Sequence, residues 1–174
     1  MDATQAPPVE PDDRPEGLAR ASFAAGCFWG VEEVFTGLPG VVDVVVGYEG
    51  GVVEHPTYEQ VCTGRTGHAE TVLVTYDPER TTYEALVEAF FRHHDPTTPN
   101  RQGPDVGTQY RSAIFTHDAD QAAAAAAALP EVQRRFARPI VTEVVPATTF
   151  WPAEAYHQHY AARTGRGGCA VANW

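Results

Sequence analysis

The stretch Val41 to Tyr48 is β-branched and long enough for a well-buried strand, and any fold for this chain must be built around it. A second apolar run follows at about His68 to Tyr76 and is ended by Asp77-Pro78. Shorter strand signals occur at 21–24, 112–116 and 140–145. Helical periodicity lies between them. Val31, Val34 and Phe35 repeat at i, i+3 and i+4, and Leu38-Pro39-Gly40 stops the pattern. Thr82 is placed to cap a helix running to about His93, with Ala85, Leu86, Ala89 and Phe90 on one face. Asp118 opens an alanine-rich helix over 121–129, which Pro130 kinks or ends and 131–136 resumes. Residues 153–161 read as a short helix. Residues 52–66 and 94–110 read as loops, and a loop of the second length inside a compact domain is usually functional. Strands and helices thus interleave irregularly. The expected class is α+β, a two-layer α/β sandwich with a central mixed sheet, a ferredoxin-like core and long active-site loops. No G-x-G-x-x-G follows a strand, which argues against a doubly wound dinucleotide fold.

The chain of 174 residues suffices for one domain. Residues 1–19 are rich in Pro, Asp and Glu and read as a flexible arm. Residues 20–174 read as a single catalytic domain with a flexible Gly-rich tail at 163–174. A net charge of −11 argues against nucleic acid or an anionic membrane as partner. No apolar run approaches a membrane span, and the first residues lack the pattern of an export signal, so a cytoplasmic location is expected. A monomer is the expected oligomeric state. The 12 basic residues are all Arg, which removes Schiff-base lysine chemistry and a P-loop lysine.

Three cysteines, Cys27, Cys62 and Cys169, are dispersed, with no Cys-x-x-Cys or zinc-ligand spacing. Adjacent His93 and His94, and His157 with His159, point apart on a helix, so no metal is expected. Cys27 sits where a strand gives way to a helix. Helix N-terminal amides and the macrodipole favour a thiolate there, and a lowered thiol pKa is the expectation. On position alone, a small buried core residue and a reactive thiol are equally good readings.

Gly26-Cys27-Phe28-Trp29-Gly30 resembles the signature of the A-type peptide methionine sulfoxide reductases. Further blocks follow in order: His55-Pro56-Thr57-Tyr58, Val61 to Gly64, and Thr66 to Glu70. The family's third block is matched by Gln102 to Ser112, and its last by Phe150 to Glu154 with Tyr156-His157-Gln158. The resemblance spans about Ser22 to Cys169. It implies reduction of the S epimer of methionine sulfoxide, free or in proteins, without a cofactor. It implies Cys27 as nucleophile, Glu70 as proton donor, and Tyr58 and Tyr110 as hydrogen-bond donors to the sulfoxide oxygen. Phe28 and Trp29 would wall the pocket for the substrate methyl group, and Asp105 would orient substrate or pocket. These types suit the chemistry. A thiolate attacks the positive sulfur, and the oxygen must gain a proton from a carboxylic acid whose pKa is raised by burial. Cys169 would resolve the Cys27 sulfenic acid as a disulfide, with thioredoxin as reductant. Gly167 and Gly168 stand where many members carry aromatic residues. Cys62 reads as structural. Two other readings remain: a thiol switch that binds without turnover, and a cysteine hydrolase, which would need a histidine beside Cys27.

Overall fold

Successive side chains of a strand point to opposite faces of the sheet, and the larger of the two apolar faces decides where the helices lie. The computed structural model describes residues 5–165 and 172–174. In chain order it contains β1 (Ala19–Ala25), α1 (Phe28–Thr36), β2 (Val41–Glu49), α2 (Tyr58–Cys62), β3 (Ala69–Tyr76) and α3 (Tyr83–Arg92). Then come β4 (Arg101–Gln102), β5 (Asp105–Val106), β6 (Ser112–Thr116), α4 (Ala119–Gln133), β7 (Glu143–Pro146), β8 (Trp151–Pro152) and α5 (Tyr160–Thr164).

Six strands make one sheet in the order β7-β6-β1-β3-β2-β8. β6 and β7 run parallel, and β1, β2, β3, β6 and β8 pair antiparallel, so the sheet is mixed and the class is α+β. Phe23, Val44, Val46, Tyr48, Val72, Val74 and Ile114 project from one face into the main core. Phe23 stacks on Phe35 of α1 and meets Phe90 of α3, which fixes both helices to that face. The opposite face carries a smaller cluster of Ala24, Ala69, Ala113 and Phe115.

The predicted element types hold for β1, β2, β3, α3 and β6, and Thr82 caps α3 by accepting the Ala85 N–H. Three segments differ. α2 lies inside the expected loop 52–66, held by a capping box in which the Thr57 hydroxyl takes the Gln60 N–H and the Gln60 amide oxygen takes the Thr57 N–H. α4 runs through Pro130, whose exposed position leaves the helix free to continue on its solvent side. The expected helix at 153–161 is split into a 3₁₀ turn, Ala155–His157, and α5, because His159 takes a left-handed φ of +54°.

The N-terminal stretch is tied to the sheet side. Val9 and Phe150 exchange both backbone hydrogen bonds at 2.9 Å, and the Arg20 guanidinium donates to Asp13 O at 2.7 Å. No helix is long and apolar enough to cross a membrane, among the described residues.

Candidate active site

The turn between β1 and α1 places Cys27. Gly26 holds φ at +96°, and a Cβ there would lie 2.7 Å from Cβ and Cγ of Gln102. That side chain is pinned in turn: its amide oxygen accepts the Asp95 N–H at 2.9 Å and its nitrogen donates to Asp95 O at 2.8 Å. The small β4–β5 hairpin, which carries Asp105, therefore rests on the glycine before the cysteine. Gly26→Ala is expected to cost about 1–2 kcal/mol in urea unfolding, because an L side chain is strained at positive φ and Gln102 has no room to retreat. Methionine-forming activity would fall with it as Cys27 shifts.

Cys27 is the N-cap of α1 and half-buried. The Trp29 and Gly30 amides favour its thiolate, as anticipated from the helix start, but they lose to larger effects. Burial, and after it the negative charge of Glu70, push the thiol up to about 12. The expected lowering of this pKa is therefore corrected. A helix terminus contributes a fraction of a charge, and a desolvated sulfur beside a carboxylate outweighs it.

Glu70 stands on β3 directly opposite Tyr48 of β2, on the helix-bearing face, and is 1 % exposed. Its Oε1 accepts the Phe28 N–H at 3.1 Å, which ties the carboxyl to the residue after Cys27. Its Oε2 has no partner among the described residues. Burial pushes the carboxyl up to about 8, against the pull of the Phe28 amide, with the charge of Asp105 adding to the rise. Glu70 is thus mostly a neutral acid at pH 7, with one oxygen available to a ligand.

Tyr58 opens α2 and Tyr110 ends the 3₁₀ turn Thr108–Tyr110. Both phenols are pushed above their ordinary range, by burial first and then by the Glu70 charge, so both remain hydrogen-bond donors. Phe28, Trp29 and Tyr58 form an aromatic wall with mutual centroid distances of 6.4 Å. A cleft of about 520 Å³ opens beside Cys27, lined by Trp29, Val34, Phe90, Asp105 and Tyr160 among others. Glu70, Tyr58 and Tyr110 are not among its lining residues; the Glu70 charge acts on Cys27 and on both phenols. Cys62 is exposed at the end of α2, and its side chain is bonded to that of Tyr58. The expected resolving residue, Cys169, lies outside the described residues.

Sequence reasoning assigned no role to two buried residues of the last block. Glu154 accepts the Tyr48 hydroxyl at 3.1 Å on Oε1 and the Tyr58 N–H at 3.1 Å on Oε2, so it sets the start of α2. His157 accepts the Trp29 indole N–H at 3.0 Å on Nδ1 and packs 4.4 Å from the Tyr58 ring. Their presence in the block was visible, but their partners lie about a hundred residues away in sequence. The other buried histidines are occupied by backbone. His68 accepts the Gly51 N–H on Nδ1 and donates to Val53 O at 2.7 Å, and His94 is bonded to Phe90 O and Ser112 Oγ.

Comparison with known proteins identifies the family. Residues 19–173 match the family model described as peptide methionine sulfoxide reductase. The chain belongs to that family, in its MsrA type. A peptide methionine sulfoxide reductase MsrA of Methanoculleus marisnigri is 60% identical over 156 residues, covering 88% of this chain and 95% of the relative. Among solved structures, Mxr1 of Saccharomyces cerevisiae in reduced form is 35% identical with a TM-score of 0.84, over 96% of this chain and 93% of that one. Mxr1 in complex with Trx2 aligns with a TM-score of 0.61 at 29% identity, over 85% of this chain and 88% of that one. This enzyme is accordingly an oxidoreductase that acts on methionine sulfoxide.

Proposed function

We propose that the enzyme reduces the S epimer of methionine sulfoxide, free or within proteins, through a Cys27 sulfenic acid and an intramolecular disulfide. The observation that carries this reading is the neutral, buried Glu70, with Oε1 on the Phe28 N–H and Oε2 unpaired, next to Cys27. A sulfoxide placed with its sulfur at Cys27 puts its oxygen toward Oε2 and the two phenols. Phe28 and Trp29 enclose the methyl group, and Asp105 orients the bound sulfoxide from the hairpin.

The sulfur of Cys27 attacks the sulfoxide sulfur as Glu70 hands a proton to the oxygen. The S–O bond of the substrate breaks, the oxygen ends on the Cys27 thiolate sulfur as S–OH with the Glu70 proton, and Glu70, left ionised, regains a proton from solvent. Methionine sulfur is reduced by two electrons and Cys27 is oxidised by two. Cys169 then attacks the sulfenic sulfur, forming the disulfide and releasing water. A thioredoxin dithiol restores both thiols, a role to which the likeness to Mxr1 in complex with Trx2 lends support. The run β1-α1-β2-β3-α3-β6, with β6-β1-β3-β2 adjacent in that order, supports the finer reading of a ferredoxin-like core in a two-layer sandwich.

The test is one turnover without reductant. Reduced enzyme is mixed with each resolved epimer, and product and intact mass are followed. The expected result is one methionine per enzyme from the S epimer alone, with a Cys27–Cys169 disulfide. Equal turnover of the R epimer would overturn the stereochemical assignment, and an absent disulfide would overturn the resolving role of Cys169.

A further inference from the structure

A phenol has a single O–H to give, and Tyr48 stands between two buried carboxyls, either of which can take it. On one side β2 pairs with β3 and sets Tyr48 directly opposite Glu70. On the other, β2 pairs with β8, and Glu154 follows β8 by two residues. Tyr48, Glu70 and Glu154 are all buried. The hydroxyl goes to Glu154 Oε1 at 3.1 Å, and Glu70 Oε2 is left without a partner among the described residues. Side chains facing each other across an antiparallel pair are near enough to interact, and the Glu70 charge already acts on the Tyr48 hydroxyl.

The direction of this one hydrogen bond matters to the acid. A hydroxyl turned toward Glu70 favours the carboxylate over the neutral acid and occupies the oxygen that a sulfoxide oxygen has to reach. Glu154 is fixed well enough to prevent that. Its Oε2 accepts the Tyr58 N–H at 3.1 Å, the neighbouring Ala153 N–H donates to Val46 O at 2.9 Å, and the Gln158 amide donates to Ala153 O at 3.0 Å. The Tyr156 hydroxyl, His157 and Cys62 also face Glu154. Burial moves His157 below its ordinary 6.5 and Cys62 above its ordinary 9.0, so neither titrates between those values. Glu70 itself is faced by Cys27, Asp105 and the phenols of Tyr58 and Tyr110.

We infer that Glu154 is a positioning residue for the acid: by engaging the Tyr48 hydroxyl it leaves Glu70 Oε2 open to the sulfoxide oxygen and the Glu70 proton in place. This rests on the reading of Glu70 as the proton donor. Glu154 touches none of the reacting atoms. In E154Q the amide oxygen still accepts the Tyr58 N–H, but the amide nitrogen donates to the Tyr48 oxygen and turns the phenol proton toward Glu70. Adding Y48F to that chain takes the competing donor away.

The test follows single-turnover methionine formation at low substrate, between pH 6.5 and 9.0, in wild type, E154Q, Y48F and E154Q/Y48F. Wild type climbs to a break at about pH 8. E154Q is expected to match it at the acid end, to flatten about one pH unit earlier and to level about tenfold lower, the effect of one hydrogen bond to a charged carboxylate. Y48F and E154Q/Y48F are expected to follow wild type. An unchanged break in E154Q would overturn the inference. So would a defect that persists in E154Q/Y48F, because the charge lost with Glu154 and any displacement of Tyr58 are common to both variants. A break displaced in Y48F also counts against it, whether or not E154Q folds, since Tyr48 would then already serve Glu70. A wild-type break that survives in E70Q would defeat it together with the assignment of Glu70 as the acid, which the other outcomes leave standing.

Discussion

Glu70→Gln lowers the rate of methionine formation by about 10²–10⁴-fold at pH 7, the usual worth of a positioned general acid. The amide is nearly the same shape and its oxygen still accepts the Phe28 N–H that Glu70 Oε1 accepts at 3.1 Å, so the fold around Cys27 is kept and only the transferable proton is lost. The pH dependence supplies a sharper test. Cys27 and Glu70 interact, so they titrate as a pair. At pH 7 both hold their protons, because burial has pushed the thiol up to about 12 and the carboxyl to about 8. The reactive arrangement, thiolate beside carboxylic acid, holds one proton fewer than that resting pair. Its population rises about tenfold per pH unit until the pair loses its first proton, and is then level. Wild-type single-turnover rates at low substrate should therefore climb to about pH 8 and flatten above it. In the glutamine variant the first proton has no carboxylate to leave, so the rate keeps climbing past that point. A break at the same pH in both proteins would remove Glu70 as the holder of the proton.

β2 and β3 were legible in the sequence because they are long and β-branched, and the motif blocks contained Cys27, Glu70 and Asp105, whereas Phe90, His93 and Tyr160, which line the cleft beside Cys27, lie outside them. Shorter elements were less visible for a physical reason. α2 spans five residues, Tyr58–Cys62, too few for helical periodicity to emerge, although the Thr57-x-x-Gln60 pattern that caps it was present. The split between the 3₁₀ turn and α5 depends on the left-handed backbone of His159, held by Glu32 from α1, a tertiary contact with no local trace. The thiol pKa was misjudged for a related reason. A helix start is a local feature, whereas the burial of Cys27 and the carboxylate beside it arise only when β3 is laid next to β1.

Glu49→Gln provides the counterpart to the first experiment, because β2 and β3 carry two carboxyls with the same shift and different uses. Glu49 pairs with Ala69, one position along from the Tyr48–Glu70 pair, so its side chain points to the face opposite that of Glu70. It is 1 % exposed, accepts the Thr148 N–H at 3.1 Å on Oε2, and has the Ser22 hydroxyl beside its carboxyl. Burial pushes it up to about 8. In the unfolded chain it ionises near 4.5, so between those values the folded protein binds one proton more than the unfolded one. Stability is thus full below pH 4.5, falls as pH rises and levels above about 8; at pH 7 the loss from this one group is about 3 kcal/mol. A glutamine stays neutral throughout and keeps the acceptor for Thr148, at the cost of an amide N–H₂ without a partner, about 1–3 kcal/mol. Urea unfolding should find the variant no more stable than wild type at pH 5 and about 1–3 kcal/mol more stable at pH 8, with methionine-forming activity unchanged. Were the difference between the two pH values the same in both proteins, Glu49 would be ionised in the fold and its charge already compensated. Activity that fell with E49Q would mean that the far face of the sheet also reaches the chemistry at Cys27.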